Sequence, residues 1–194
     1  MAQTLRPLIV ALPAGLALIA IVSLLAYRSI EDAPPSVGAK ASAVLVSQDG
    51  DAIGSVDFTQ AATGVLIAAK VDGLAPGGHA FIIHSVGACT PDFDAAGDHF
   101  DPEGGGEHGF VHPNWRGSSG RAHGGDLPNI YAAADGSARA DFFTEGVTLD
   151  SGKDHSLFDA DGSAIIVHEK PDTYGEGEAD TGSRIACGVI QPDS

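Results

Sequence analysis

Positive charge is scarce in this sequence: 10 lysines and arginines stand against 26 aspartates and glutamates, for a formal charge of −16. That imbalance excludes a nucleic-acid-binding surface, which needs clustered basic side chains to neutralise phosphates. It also repels an anionic substrate unless a local positive group intervenes. Sulfur is nearly missing too. A single methionine, the initiator, and two cysteines, Cys89 and Cys187, leave no Cys-x-x-Cys pair and no methionine-rich segment. Helical periodicity is absent beyond residue 40, where no window of about 12 residues repeats its apolar positions at helical spacing.

Two cysteines in an exported domain read as one disulfide; two unpaired buried thiols are the other reading. Export is expected from the front of the chain. Leu8 to Tyr27 carries no charge, with Arg6 before it and Arg28, Glu31 and Asp32 after it. About 20 apolar residues match a bilayer-spanning helix, whereas a cleaved signal has roughly 7–15 and a small-residue cleavage site. Leu25-Ala26-Tyr27-Arg28 offers no such site. The expectation is therefore an N-terminal anchor over residues 1–30, with its N-terminus cytoplasmic, and a Pro-rich tether over 31–40. A globular domain over 41–194 follows on the periplasmic side of the inner membrane; secretion to the periplasm after signal cleavage is the alternative.

The domain reads as strands. Ala41–Ser47, Gly54–Phe58, Gly64–Val71, Gly78–His84, Ala138–Thr144, Gly162–His168 and Ser183–Ile190 are short β-prone runs separated by Gly, Asp and Pro. That pattern predicts an antiparallel all-β domain. Between His84 and Ile130 the texture turns to Gly, Pro, Asp and His, and a loop of that length in a compact domain is functional or disordered. Its ligand-type residues favour function.

His123 and Asp126 are separated by two glycines, so a tight turn can aim both at one ion. With His99 and His108 they make three imidazoles and a carboxylate, a set that suits tetrahedral zinc closed by protein ligands. Such an ion would order a loop lacking apolar material. A second site would draw on His84 and His168 at strand ends and on His99. Alternation along a strand puts residue 82 on the face of His84 and His79 on the other, so His79 reads as a histidine bonded to loop backbone.

The motifs Gly78-His-Ala-Phe-Ile-Ile-His84, Ala96-Gly-Asp-His-Phe-Asp-Pro102, His123-Gly-Gly-Asp-Leu-Pro-Asn-Ile130, Val167-His-Glu-Lys170 and Gly182-Ser-Arg-Ile-Ala-Cys-Gly-Val-Ile190 occur in this order. From about residue 41 to Pro192 the chain resembles the copper/zinc superoxide dismutase family. The resemblance implies an eight-stranded Greek-key β-barrel or sandwich, long metal-site loops and a Cys89–Cys187 disulfide. It implies zinc at His99, His108, His123 and Asp126. Copper is implied at His84, His99, His168 and the position of Ile82. Asp172 matches the carboxylate linking a zinc histidine to a copper histidine, and Arg184 the guanidinium that orients superoxide, which with His99 would serve catalysis.

Ile82 breaks that pattern, placing a branched apolar group where a fourth copper ligand belongs. Three histidines can hold Cu(I), while Cu(II) prefers four or more ligands. Glu176, Glu178 and Asp180 in a short loop predict poor guidance of an anion. The stretch from His108 to His123 is lengthened and contains His112 and Trp115; His112 would re-form a metal site or, alternatively, Trp115 packs on the loop or in a contact surface. Three functions compete: a zinc-binding relative with weak or absent dismutase activity, a working dismutase using three copper histidines, and a copper-holding or copper-delivery module. A homodimer is compatible with each.

Overall fold

The computed structural model describes residues 36–111, 121–175 and 180–193. The strands in chain order are β1 (Lys40–Ser47), β2 (Ala52–Gln60), β3 (Val65–Val71), β4 (Gly77–His79), β5 (Phe81–His84), β6 (Ile130–Ala132), β7 (Ala138–Thr144), β8 (Ala164–His168), β9 (Arg184–Val189) and β10 (Gln191–Pro192). A 3₁₀ turn at Phe93–Ala96 follows β5. In β3 the side chains alternate as strand geometry requires: Val65, Ile67, Ala69 and Val71 are buried, whereas Leu66 and Lys70 face out.

Hydrogen bonding orders one sheet as β5-β8-β9-β1-β2-β3-β7, with β10 also on β1, giving eight strands, all paired antiparallel. β4 and β6 form a small second sheet. The long-range neighbours β5–β8 and β1–β9 give the Greek-key barrel-like sandwich that the family resemblance implies, built from the antiparallel strands that the strand pattern predicted. Leu45, Phe58, Ile67, Phe81, Phe100 and Ile165 are within 1% of complete burial at its centre.

Alternation divides β5 and β8 between two environments. Phe81, Ile83, Ile165 and Val167 enter the main core. On the outer face, Ala164 and Ile166 join Ala96, Cys187, Cys89 and Phe93 in a separate apolar cluster. The Cys89–Cys187 disulfide closes that cluster, tying β9 to the loop after β5.

Two expectations are corrected. Gly78–His84 is not one strand, because it breaks at Ala80, whose N–H donates to Lys170 O while its carbonyl accepts from His168 N. Alternation therefore does not run from His79 to Ile82. The membrane anchor over residues 1–30, with its inner-membrane placement, is the second. That segment lies outside the described residues, and among those described no helix is long and apolar enough to cross a membrane. Apolar length is a necessary condition for a span, not a sufficient one, so the anchor is withdrawn. His112 and Trp115 also lie outside the described residues.

Candidate metal centre

β5 is the spine of the site. One edge pairs with β8, placing Ile82 opposite Ile166 and His84 opposite Ala164. The other edge meets the long loop twice, through bridges His84↔His99 and Ile82↔Asp126. Phe100 N and Gly125 N donate to Ile83 O and Phe100 O, and Ile83 N donates to Gly125 O, each at 2.9 Å. Gly125 is required there, since a Cβ would strike Ile83 O. One short strand thus gathers His84, His99, Asp126 and His168 from four separate stretches of sequence.

His99, His108, His123 and Asp126 each present one ligand atom within 4.8 Å of the others. Ligands about 2.0–2.1 Å from a tetrahedral zinc ion stand roughly 3.3 Å apart. Asp126 Oδ1 lies 2.9 Å from His99 Nδ1 and 3.5 Å from His108 Nδ1. His99 Nδ1 and His108 Nδ1 are 3.2 Å apart, and His123 Nδ1 is 3.5 Å from Asp126 Oδ2. These spacings straddle the tetrahedral edge, so the residues fit a zinc-type site. His108 Nε2 reaches Asp172 Oδ1 at 2.8 Å. A hydrogen bond to the second nitrogen of a ligand histidine fixes its orientation. Asp172 is fixed in turn by the Asn129 amide, which accepts from Asp172 N and donates to Asp172 O.

Burial alone would raise the Asp126 pKa, but hydrogen bonds from His108, His123 and His99 outweigh it and hold the carboxyl well below the usual range. The Asp126 hydrogen bond, working against burial, lifts His108 to about 9, and the same carboxylate raises His123. Protons and a metal ion therefore compete for the same nitrogens.

The second group behaves oppositely. Burial pushes His84 down to about 3 and His168 to about 4, with the His99 and Arg184 charges acting in the same direction. Both stay neutral at physiological pH. Gly97 O, which can only accept, lies 2.9 Å from His84 Nδ1, so that nitrogen carries the proton and Nε2 the lone pair. His168 Nδ1 lies 3.1 Å from Thr181 Oγ1. The Nε2 atoms of both rings are buried and have no hydrogen-bond partner among the described residues. The His84 ring centre is 5.1 Å from His99 and 5.8 Å from His168. Two buried, unpartnered imidazole nitrogens on neighbouring rings suit a soft or borderline metal. Ile82 is fully buried, outside the main core and on the outer face with His84. His79 contributes nothing to this group: its Nδ1 and Nε2 each lie 2.8 Å from a carbonyl, those of His168 and Ala75.

Arg184 closes the group. Its Nη1 and Nη2 donate to Phe93 O and Gly97 O at 2.8 and 2.9 Å, fixing the guanidinium beside the histidines. The copper/zinc superoxide dismutase (SODC) family model matches residues 52–190. The chain belongs to the copper/zinc superoxide dismutase family. Among its relatives, Superoxide dismutase [Cu-Zn] of Caulobacter vibrioides is 43% identical over 154 residues, covering 78% of this chain and 85% of the relative. Superoxide dismutase [Cu-Zn] 2 of Aquifex aeolicus is 39% identical over 155 residues, covering 78% and 86%. A crystal structure of a SOD-like protein from Bacillus subtilis superposes with a TM-score of 0.68 at 34% identity, covering 76% of this chain and 96% of that one.

Within this superoxide dismutase scaffold, reading residue types found the imidazoles and carboxylates but missed Gly97 and Thr181. Gly97 acts through a backbone carbonyl shared by His84 and Arg184, and a carbonyl leaves no signature in residue type. Thr181 acts through a hydroxyl indistinguishable in sequence from any loop threonine.

Proposed function

We propose that this chain is an exported superoxide dismutase that works with three copper histidines, His84, His99 and His168. Zinc at His99, His108, His123 and Asp126 would order the loop. The observation that carries the reading is the pair of buried, unpartnered Nε2 atoms on His84 and His168, beside an anchored Arg184. The Cys89–Cys187 disulfide supports an oxidising compartment.

Bound copper would supply one-electron exchange, by which two superoxide anions and two protons give dioxygen and hydrogen peroxide. The chain's own residues do the rest. Arg184 draws in the anion and orients it against an otherwise acidic surface. His84 keeps its proton on Nδ1 against Gly97 O, which leaves Nε2 free to bind. His99 stands between the two sites with Nδ1 committed to the Asp126 side, so its Nε2 serves the second site.

Ile82 favours a second reading, in which activity is weak or absent. Three imidazoles and an apolar corner favour reduced over oxidised copper, and half of the cycle would slow. Superoxide consumption by protein loaded with copper and zinc separates the readings. We expect copper-dependent turnover that a chelator abolishes, that Arg184→Ala lowers by about tenfold, and that Ile82→His raises. Full copper loading without turnover in the wild type, with turnover gained in Ile82→His, would establish the second reading instead.

A further inference from the structure

We infer that His155 is a positioning residue of the metal centre: acting through Glu103 and Arg121, it holds the metal-binding loop from outside and sets how fast the ion escapes. The inference rests on the zinc reading of the His99, His108, His123 and Asp126 cluster.

The loop has little else to hold it. Among its described residues, no buried hydrophobic side chain lies between Phe100 and Leu127. Polar contacts must fix its outgoing arm, 101–111, and its returning arm, 121–126. Arg121 joins the two arms: Nη2 donates to Asp101 Oδ1 at 2.8 Å and to Gly104 O at 3.3 Å, and Nε lies 3.3 Å from Glu103 Oε2. Asp101 also accepts from Gly106 N at 2.8 Å. Asp101 stands two residues after His99, and Arg121 two residues before His123, so this lattice flanks ligands on both arms.

His155 ties that lattice to the scaffold. It belongs to the β7–β8 connection, which the core grips on either side of it. Thr148 N donates to His155 O and Leu157 N to Thr148 O, both at 2.9 Å. Leu157 is fully buried, and Thr148 Oγ1 donates to the buried Gln60 at 2.9 Å. From this platform His155 Nε2 reaches Glu103 Oε1 at 2.7 Å.

The backbone gives a second, independent reason to assign a role to this side chain. His155 has φ 63°, left-handed geometry that glycine adopts without penalty and a branched or bulky residue does not. Its Nδ1 is buried with no hydrogen-bond partner among the described residues. Neither the backbone nor Nδ1 gains from having histidine here. The Glu103 contact does.

The test is the rate of zinc release from full-length, zinc-loaded protein into excess chelator, read beside thermal unfolding of the zinc-free protein. His155→Gly removes the contact while relieving the left-handed backbone, and Glu103→Gln keeps the shape while removing the charge. Each should speed release about threefold, the scale of a partly exposed polar side-chain contact. The double variant should release no faster than Glu103→Gln, which alters the contacts of Glu103 to both His155 and Arg121 and so already contains the effect of losing His155. The zinc-free unfolding midpoint of His155→Gly should stay level or rise, which separates positioning of the loop from support of the scaffold. Release at the wild-type rate in Glu103→Gln, or summed effects in the double variant, would overturn the inference. Wild-type protein that takes up no zinc would overturn the zinc reading and this inference together. If His155→Gly does not fold, His155→Asn, which tolerates the left-handed backbone and is too short to reach Glu103, takes its place, and release at the wild-type rate in it would overturn the inference.

Discussion

Asp126 places two carboxylate oxygens among three imidazoles and two backbone amides. Besides the ring nitrogens, Gly109 N donates to Oδ2 at 2.8 Å and His123 N at 3.2 Å. The residue is therefore both a candidate zinc ligand and the knot of its loop. Asp126→Ala should lose zinc and sensitise residues 99–126 to protease while the strands persist, because a hydrogen-bonded buried charge contributes about 1.5–3 kcal/mol per bond. Zinc stoichiometry and proteolysis measured together check this, and full zinc with an intact loop would refute it. At this scale the sequence was informative wherever residue type carries the chemistry. His99, His108, His123 and Asp126 were legible from ligand types and a two-glycine spacing. His155 was not, since its partner Glu103 lies 52 positions away and no local pattern marks the pair.

Among elements, β5 matters most because its four residues include His84 and pair with β8, His99 and Asp126. Its contact with the metal loop depends on backbone approach, not on side chains. Gly125→Ala should separate Asp126 from β5 by forcing a Cβ against Ile83 O, with no flexible side chain able to yield. The cost should reach about 3 kcal/mol or more, within the range of severe single substitutions. Chemical denaturation would show a lowered midpoint with unchanged slope, and zinc affinity should fall with it. The strands themselves were legible because period-two burial follows from a half-buried sheet, as in β3. The break at Ala80 was not, because a strand and two collinear strand fragments share one pattern. The Lys170 carbonyl and the His168 N–H, distant in sequence, decide it.

Over the whole molecule, two properties act at long range. The disulfide spans 98 positions, and a loop of that size closes with roughly 4–5 kcal/mol of unfolded-state entropy. Cys89→Ser with Cys187→Ser should lower the melting temperature by about 5–15 °C, as calorimetry would record. A shift under about 2 °C would show that the outer apolar cluster holds that loop unaided. The net charge of −16 governs encounter. If repulsion dominates, any superoxide turnover should rise as salt shortens the Debye length from about 30 Å at 0.01 M to about 8 Å. A fall would mean that Arg184 prevails locally. Greek-key connectivity was legible only through resemblance, because strand pairing across the chain leaves no trace in local periodicity. The apolar front end lies outside the described residues, and apolar length alone does not specify a span.

The peptide carbonyl of Gly97 accepts from His84 on one side and from Arg184 on the other. Gly97 itself sits at φ 73°, with Ser85 and Val86 where a Cβ would go. Tuning anion attraction through this turn would twist an imidazole, and retuning the imidazole would swing the guanidinium. Variation along this lineage therefore cannot adjust the two by separate small steps at residue 97. The side chain at position 82 has no such shared duty, and it is there that this chain departs from the pattern that the family resemblance implies.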